Sequence, residues 1–217
     1  MIDPVLQHTN AIDVQTLNDS ETSSADVSSN CKTPTQDELA AVVRVGAAGS
    51  DGSGTVVAPN RVLTAYHVVE SAIDNWVYIN NDWAKGHLIG LSIENDMALL
   101  AVDTGNIKPI KIRRTYVGDS DVGYVSGFPG GLDKVAKPAS KFIYVQEFLI
   151  AKAEIDHGIS GGGLLTCDAG EHVYSGVVIG WPALRRDGDL YFYENQAAIM
   201  PIPTAVKPFL RDHSIEL

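Results

Sequence analysis

Three short segments carry side chains that together could cleave an acyl bond. Gly158-Ile159-Ser160-Gly161-Gly162 sets a serine among glycines. That composition suits a tight turn that lifts the hydroxyl out of the chain and lets backbone N–H groups converge beside it. A serine hydroxyl is a poor nucleophile at neutral pH until an imidazole takes its proton. His67 stands just past the apolar run Arg61-Val62-Leu63-Thr64-Ala65, where the chain must turn. A carboxylate is then needed to fix the tautomer and stabilise the imidazolium. Asp96, in Asn95-Asp96-Met97-Ala98-Leu99-Leu100, immediately before a second apolar run, is the candidate. Ser160 would be the nucleophile, His67 the general base and Asp96 its orienting partner, with the amides of Gly158 and Ser160 receiving the oxyanion. Taken singly, each segment also has a plainer reading: a Gly/Ser turn, a satisfied core histidine, a turn residue before a strand. The α/β-hydrolase form of Gly-x-Ser-x-Gly needs a helix after the serine, whereas Gly163-Leu164-Leu165-Thr166 reads as a strand.

The elements that must position these groups are short, β-rich and separated by turn residues. Strands are predicted at 41–45, 54–57, 61–64, 76–79, 83–89, 97–102 and 109–112, and again at 122–126, 141–145, 148–154, 162–165, 172–179, 190–193 and 196–200. Turn residues such as Gly49 to Gly54, Pro59-Asn60 and Asn80-Asn81-Asp82 divide them. Strands this short, without alternating helices, indicate an all-β sandwich or a pair of barrels. Only Thr204 to His213 reads as helical, with Pro208 either kinking it or lying in its first turn.

Composition narrows the classes of function. The 217 residues are 45% hydrophobic and 20% charged, ordinary for a globular chain with a real core. The net charge of −11 has the wrong sign for a protein whose affinity comes from neutralising phosphates, which argues against a nucleic-acid partner. No apolar run is long enough to span a bilayer, and Met1-Ile2-Asp3-Pro4 lacks the regions of a signal peptide. The expected location is cytoplasmic, or secreted or periplasmic if the numbering starts after processing. Residues 1–40 carry −6 of the charge and are rich in Ser, Thr, Asn and Asp, so they read as a mobile acidic arm or pro-segment. Cys31 and Cys167 can form one disulfide or remain two free thiols. Neither the cysteines nor His67, His87, His157 and His172 have metal-ligand spacing, so no metal and no cofactor are expected.

The segments Thr64-Ala65-Tyr66-His67-Val68-Val69, Asn95 to Leu100 and Gly158 to Gly162 resemble the histidine, aspartate and serine motifs of chymotrypsin-like serine proteases, in that family's order. The resemblance extends over about residues 41–212. Gly52 to Val57 is similar to the strand before the histidine, and Val122 to Gly130 to a strand and turn of the second barrel. Asn195 to Leu210 is similar to the closing strand and helix of the bacterial branch that includes glutamyl endopeptidases and HtrA-type proteases.

The resemblance implies two six-stranded antiparallel β-barrels, one over 41–115 with the histidine and aspartate, one over 116–217 with the serine and a C-terminal helix. It implies a serine endopeptidase acting on polypeptides through an acyl-enzyme; the alternative is a catalytically silent barrel that binds peptides. Its substrate pocket would be walled by Glu154 and Ile155 on one side and Gly180 and Trp181 on the other. Glu154 in the place of trypsin's selective aspartate would favour a basic residue before the cut. If Glu154 instead lies outside the pocket, Ile155 and Trp181 would favour a small or apolar one. A glutamate preference is not expected, because Val178-Ile179-Gly180 lacks the histidine of the glutamyl endopeptidases.

The departures are informative. Ile159 stands where the animal enzymes place the aspartate that pairs with a newly cut N-terminus, so activation by that ion pair is excluded. Gly163 replaces the usual proline, which predicts a looser turn. The chain ends at Leu217, so it is expected to lack the peptide-binding domain that HtrA-type proteases append.

Overall fold

A computed structural model describes Val5, Leu6 and residues 31–47, 49–186 and 189–216. The strands are β1 (Val5–Leu6), β2 (Val42–Ala47), β3 (Ser50–Ala58), β4 (Arg61–Ala65), β5 (Asn75–Ile79), β6 (Asp82–Ser92), β7 (Met97–Ala101), β8 (Gly123–Gly127), β9 (Val135–Val145), β10 (Phe148–Lys152), β11 (Gly163–Asp168), β12 (Glu171–Gly180), β13 (Ala183–Arg186), β14 (Asp189–Phe192) and β15 (Gln196–Pro201). Two sheets close into six-stranded antiparallel barrels, β2-β3-β4-β7-β6-β5 and β10-β15-β12-β11-β8-β9. This is the pair of six-stranded barrels that the resemblance implied.

The continuous apolar runs in β4, β7 and β12 follow from burial on both faces. Val62, Ala98 and Leu100 fill the first barrel, and Val178 fills the second. Their alternating neighbours Leu63, Met97, Leu99, Val177 and Ile179 meet in a third cluster between the barrels, together with Tyr174, Met200 and the terminal helix residues Phe209 and Leu210. The strands that lead to the candidate site are thus the strands of the barrel interface. Truncating a buried leucine there, such as Leu63, would cost about 2–5 kcal/mol through lost transfer energy and the cavity left behind.

Several expectations are corrected. Residues 109–112 form no strand; Ile112 makes one bridge to Tyr174, and Arg113, buried, donates to Thr166 Oγ1 at 2.6 Å and pairs with Asp121. A four-residue helix, α1 (Tyr66–Val69), stands where only a turn was read. At the C-terminus a π-helical turn (Ile202–Val206) runs directly into α2 (Lys207–Asp212), with Pro208 as the second residue of α2. Strand β13 was not read at all; it pairs with β14 and, in parallel, with β1.

Residues 31–40, read from the sequence as part of a mobile acidic arm, are anchored instead. Of the arm's residues, 1–4 and 7–30 lie outside the described residues. Residues 31–40 belong to the folded unit. Cys31 is bonded to Cys167 across 136 positions. Thr35 and Glu38 cap a turn reciprocally, the Thr35 amide donating to Glu38 Oε2 at 2.7 Å and the Glu38 amide to Thr35 Oγ1. Leu39 is buried against Val42 and Leu165, and Lys134 Nζ donates to its carbonyl at 2.7 Å.

Candidate active site

Antiparallel pairing of β4 with β7 places Ala65 opposite Met97. The residues just beyond that pair must therefore meet at the barrel rim. The Tyr66 amide donates to the Asp96 carbonyl at 3.1 Å, and the His67 amide to Asp96 Oδ1 at 2.9 Å. Asp96 Oδ2 lies 2.6 Å from His67 Nδ1. A carboxylate can only accept, so in the neutral ring Nδ1 carries the proton and Nε2 offers its lone pair. Asp96 has φ +48°, a left-handed conformation that short polar side chains tolerate best. Its side chain is 9% exposed against 19% for His67, so the carboxylate is shielded while the imidazole still reaches the cleft.

Ser160 comes from the other barrel. Its carbonyl accepts from the Ser53 amide of β3 at 2.8 Å, and the Gly161 amide donates to the Val178 carbonyl of β12 at 2.7 Å, so the serine turn is pinned on both sides. Gly161, at φ +84°, has no room for a side chain: a Cβ would lie 2.1 Å from the Ser53 carbonyl oxygen. Gly158 is equally constrained, at φ +93° with a would-be Cβ 2.5 Å from the Phe128 carbonyl oxygen. Ile159 is fully buried in the second barrel. The turn is not loosened by Gly163. That residue pairs with both Ser126 and Val177, and a Cβ there would come within 2.8 Å of the buried Tyr174 ring, which occupies the space a proline would need.

A cavity of about 160 Å³ opens between the barrels and is lined by both His67 and Ser160. Ile155, Gly180 and Trp181, expected to wall the substrate pocket, line it, and so does Gly158. Glu154 does not. It is exposed, because strand-like alternation sends its neighbours Ala153 and Ile155 inward and turns it to solvent. Three further lining residues are His157, edge-to-face on Trp181 with ring centroids 4.8 Å apart, Ile179, and Phe192 of β14. Two carboxylates at the rim are paired, Asp156 with Lys137 and Asp51 with Arg44. A larger groove of about 920 Å³ lies along the Lys111–Arg114 segment and contains none of the candidate catalytic residues.

The sequence model of the trypsin-like peptidase domain matches residues 52–173, which include His67, Asp96 and Ser160. No curated protein matches the sequence. Among solved structures, the active form of the Rv3671c protease from M. tuberculosis is 22% identical, with a TM-score of 0.68 over 84% of each chain. The serine endoprotease from Yersinia pestis is 24% identical, with a TM-score of 0.67 over 84% of this chain and 69% of that one. The HtrA-type protease AlgW with tripeptide is 21% identical, with a TM-score of 0.68 over 83% of this chain and 65% of that one.

Proposed function

Since the chain belongs to the trypsin-like peptidase domain family, we propose that it is a serine endopeptidase whose triad is His67, Asp96 and Ser160. The observation that carries this reading is the double grip of Asp96 on His67, through the backbone amide and through Nδ1, in a cavity shared with Ser160. Nε2 of His67 takes the Ser160 proton as the hydroxyl oxygen attacks the peptide carbonyl, and the imidazolium that forms is held against the Asp96 carboxylate. The tetrahedral oxyanion is received by the amides of Gly158 and Ser160, worth about 3 kcal/mol per donor in such sites. His67 then protonates the leaving amine, and water enters by the same route to release the acyl group from Ser160.

The substrate side chain before the cut is apolar in this reading, because Ile155, Ile179 and Trp181 line the cavity while Glu154 faces solvent. The Cys31–Cys167 bond supports an oxidising compartment as the place of action.

A fluorophosphonate probe tests the triad. It should label the wild type at Ser160 and leave Ser160→Ala unlabelled, with peptide hydrolysis lost in the same variant. A folded wild type that neither reacts nor turns over peptides would instead be a silent barrel that binds them.

A further inference from the structure

Ser53 lies in the first barrel, 105 positions from Gly158, and is fully buried. All its polar atoms are engaged, the hydroxyl and amide across the barrel interface. Its hydroxyl donates to the Gly158 carbonyl at 2.7 Å and accepts the Phe128 amide at 2.8 Å. Its amide donates to the Ser160 carbonyl at 2.8 Å, and its carbonyl accepts the Thr64 hydroxyl at 2.6 Å. The two remaining carbonyls of the turn are held as well: His157 by the Gly130 amide at 2.7 Å and Ile159 by the Gly162 amide at 2.9 Å.

In a trans peptide the N–H points opposite the C=O. Fixing the His157 and Ile159 carbonyls therefore fixes the direction of the Gly158 and Ser160 amides, the two donors of the oxyanion hole. Gly158 itself offers no resistance to rotation, since glycine populates many backbone conformations with little preference. External hydrogen bonds must do the holding. The Ser53 hydroxyl holds the peptide between the two donor peptides directly, at the Gly158 carbonyl, and supports the first donor peptide indirectly through Phe128, which caps the 3-10 turn Pro129–Gly131 whose Gly130 amide grips the His157 carbonyl. Without that hydroxyl, the Gly158 carbonyl and the Phe128 amide lose their partner together, and a buried unpaired group is expensive. Rotation at Gly158 would relieve the penalty by turning a carbonyl toward the site where negative charge develops.

We propose that Ser53 is a positioning residue for the oxyanion hole: it keeps the hole formed in the free protein, so that no newly cut N-terminus is needed. This inference rests on the serine endopeptidase reading above.

The test compares the wild type with Ser53→Ala for peptide hydrolysis, for affinity toward a peptide boronate that mimics the tetrahedral intermediate, and for the orientation of the 157–159 peptides by crystallography. Loss of a whole oxyanion donor costs about 100- to 1000-fold in kcat, so an indirect loss should cost about 10- to 100-fold. KM should change less than about threefold, and boronate affinity should fall in step with kcat, as expected of an interaction made only in the transition state. Ser53→Thr, which keeps the hydroxyl, should restore most of the kcat. If Ser53→Ala does not fold, Ser53→Cys replaces it, because a thiol fills the same space while donating and accepting only weakly. An unchanged kcat, or a kcat loss without loss of boronate affinity, overturns the proposal. A wild type that shows no turnover and no labelling of Ser160 rejects the endopeptidase reading instead. The crystal structure of the variant then decides on Ser53: rotated peptides support its role, and unrotated peptides refute it.

Discussion

Ala65 stands opposite Met97, and this one register places the Asp96 carboxylate against both the amide and the ring of His67. His67 and Asp96 are 29 positions apart, yet neither can move away from the other without breaking a ladder buried on both faces.

Asp96→Asn should therefore leave the fold almost intact and damage the chemistry. The asparagine oxygen can still accept the His67 amide, which leaves its NH₂ group facing Nδ1. The ring must then carry its proton on Nε2, the nitrogen that should accept from Ser160. A kcat lower by about 10⁴ at neutral pH, with little change in melting temperature, is the expected outcome. Steady-state kinetics and a thermal melt check it, and activity within tenfold of the wild type would remove Asp96 from the mechanism.

The disulfide ties residue 31 to the second barrel and closes a loop of 136 positions. Restricting so long a loop in the unfolded chain should contribute about 2–5 kcal/mol. Cys31→Ser is expected to lower the denaturant midpoint accordingly. Truncation to residue 38 should cost more, because it also removes Glu38 and frees the segment carrying Leu39. Equal stability of the wild type, Cys31→Ser and the truncated chain would show that residues 31–38 hold nothing.

Most strands were legible because strand alternation and turn composition are local signals, but they left a sandwich and a pair of barrels both open, and only the resemblance carried by the three motifs implied two closed barrels. The anchored segment was not legible, since what binds residues 31–40 lies far along the chain: Cys167, His172 and Lys134. One local signal was present. Thr35-Gln36-Asp37-Glu38 has the spacing of a capping box, with the apolar Leu39 next to it. The looser turn expected from Gly163 failed for a similar reason, because the group that fills the space is Tyr174 on the neighbouring strand.

Glu38 adds a pH dependence of stability. His172 Nδ1 lies 2.6 Å from Glu38 Oε1, and together with the Thr35 hydrogen bonds it lowers the Glu38 carboxyl from 4.5 to about 2. A carboxyl with a lowered folded-state value binds its proton more weakly in the native than in the unfolded chain. Its contribution is thus complete above pH 4.5 and disappears as the pH falls toward 2. The stability difference between the wild type and Glu38→Gln, measured by urea unfolding, should close as the pH falls from 4.5 to 2. A difference independent of pH across that window would show that the carboxylate is not what anchors the segment.

Substrate preference follows from which side of the chain each residue between Ala153 and Gly158 presents. Ala153 and Ile155 are buried and Glu154 is exposed, so the carboxylate that could have selected a basic residue faces water. The cavity of about 160 Å³ keeps Ile155, Ile179 and Trp181 as its apolar lining, and the nearby acids Asp156 and Asp51 are each paired with a base. A charged side chain entering it would lose hydration without gaining a partner, whereas an aliphatic one would gain about 25 cal/mol for each Å² of apolar surface removed from water. Profiling with a peptide library should rank Val, Leu and Met above Lys, Arg and Glu at the position before the cut. Glu154→Gln should leave that ranking unchanged. Trp181→Ala should shift it toward larger side chains and alter kcat/KM among aliphatic substrates by about 1–3 kcal/mol, the scale on which apolar pockets discriminate single methylenes. A basic preference in the wild type that Glu154→Gln abolishes would mean that the segment before Ser160 turns over when substrate binds, and that the carboxylate, not the apolar wall, reads the substrate.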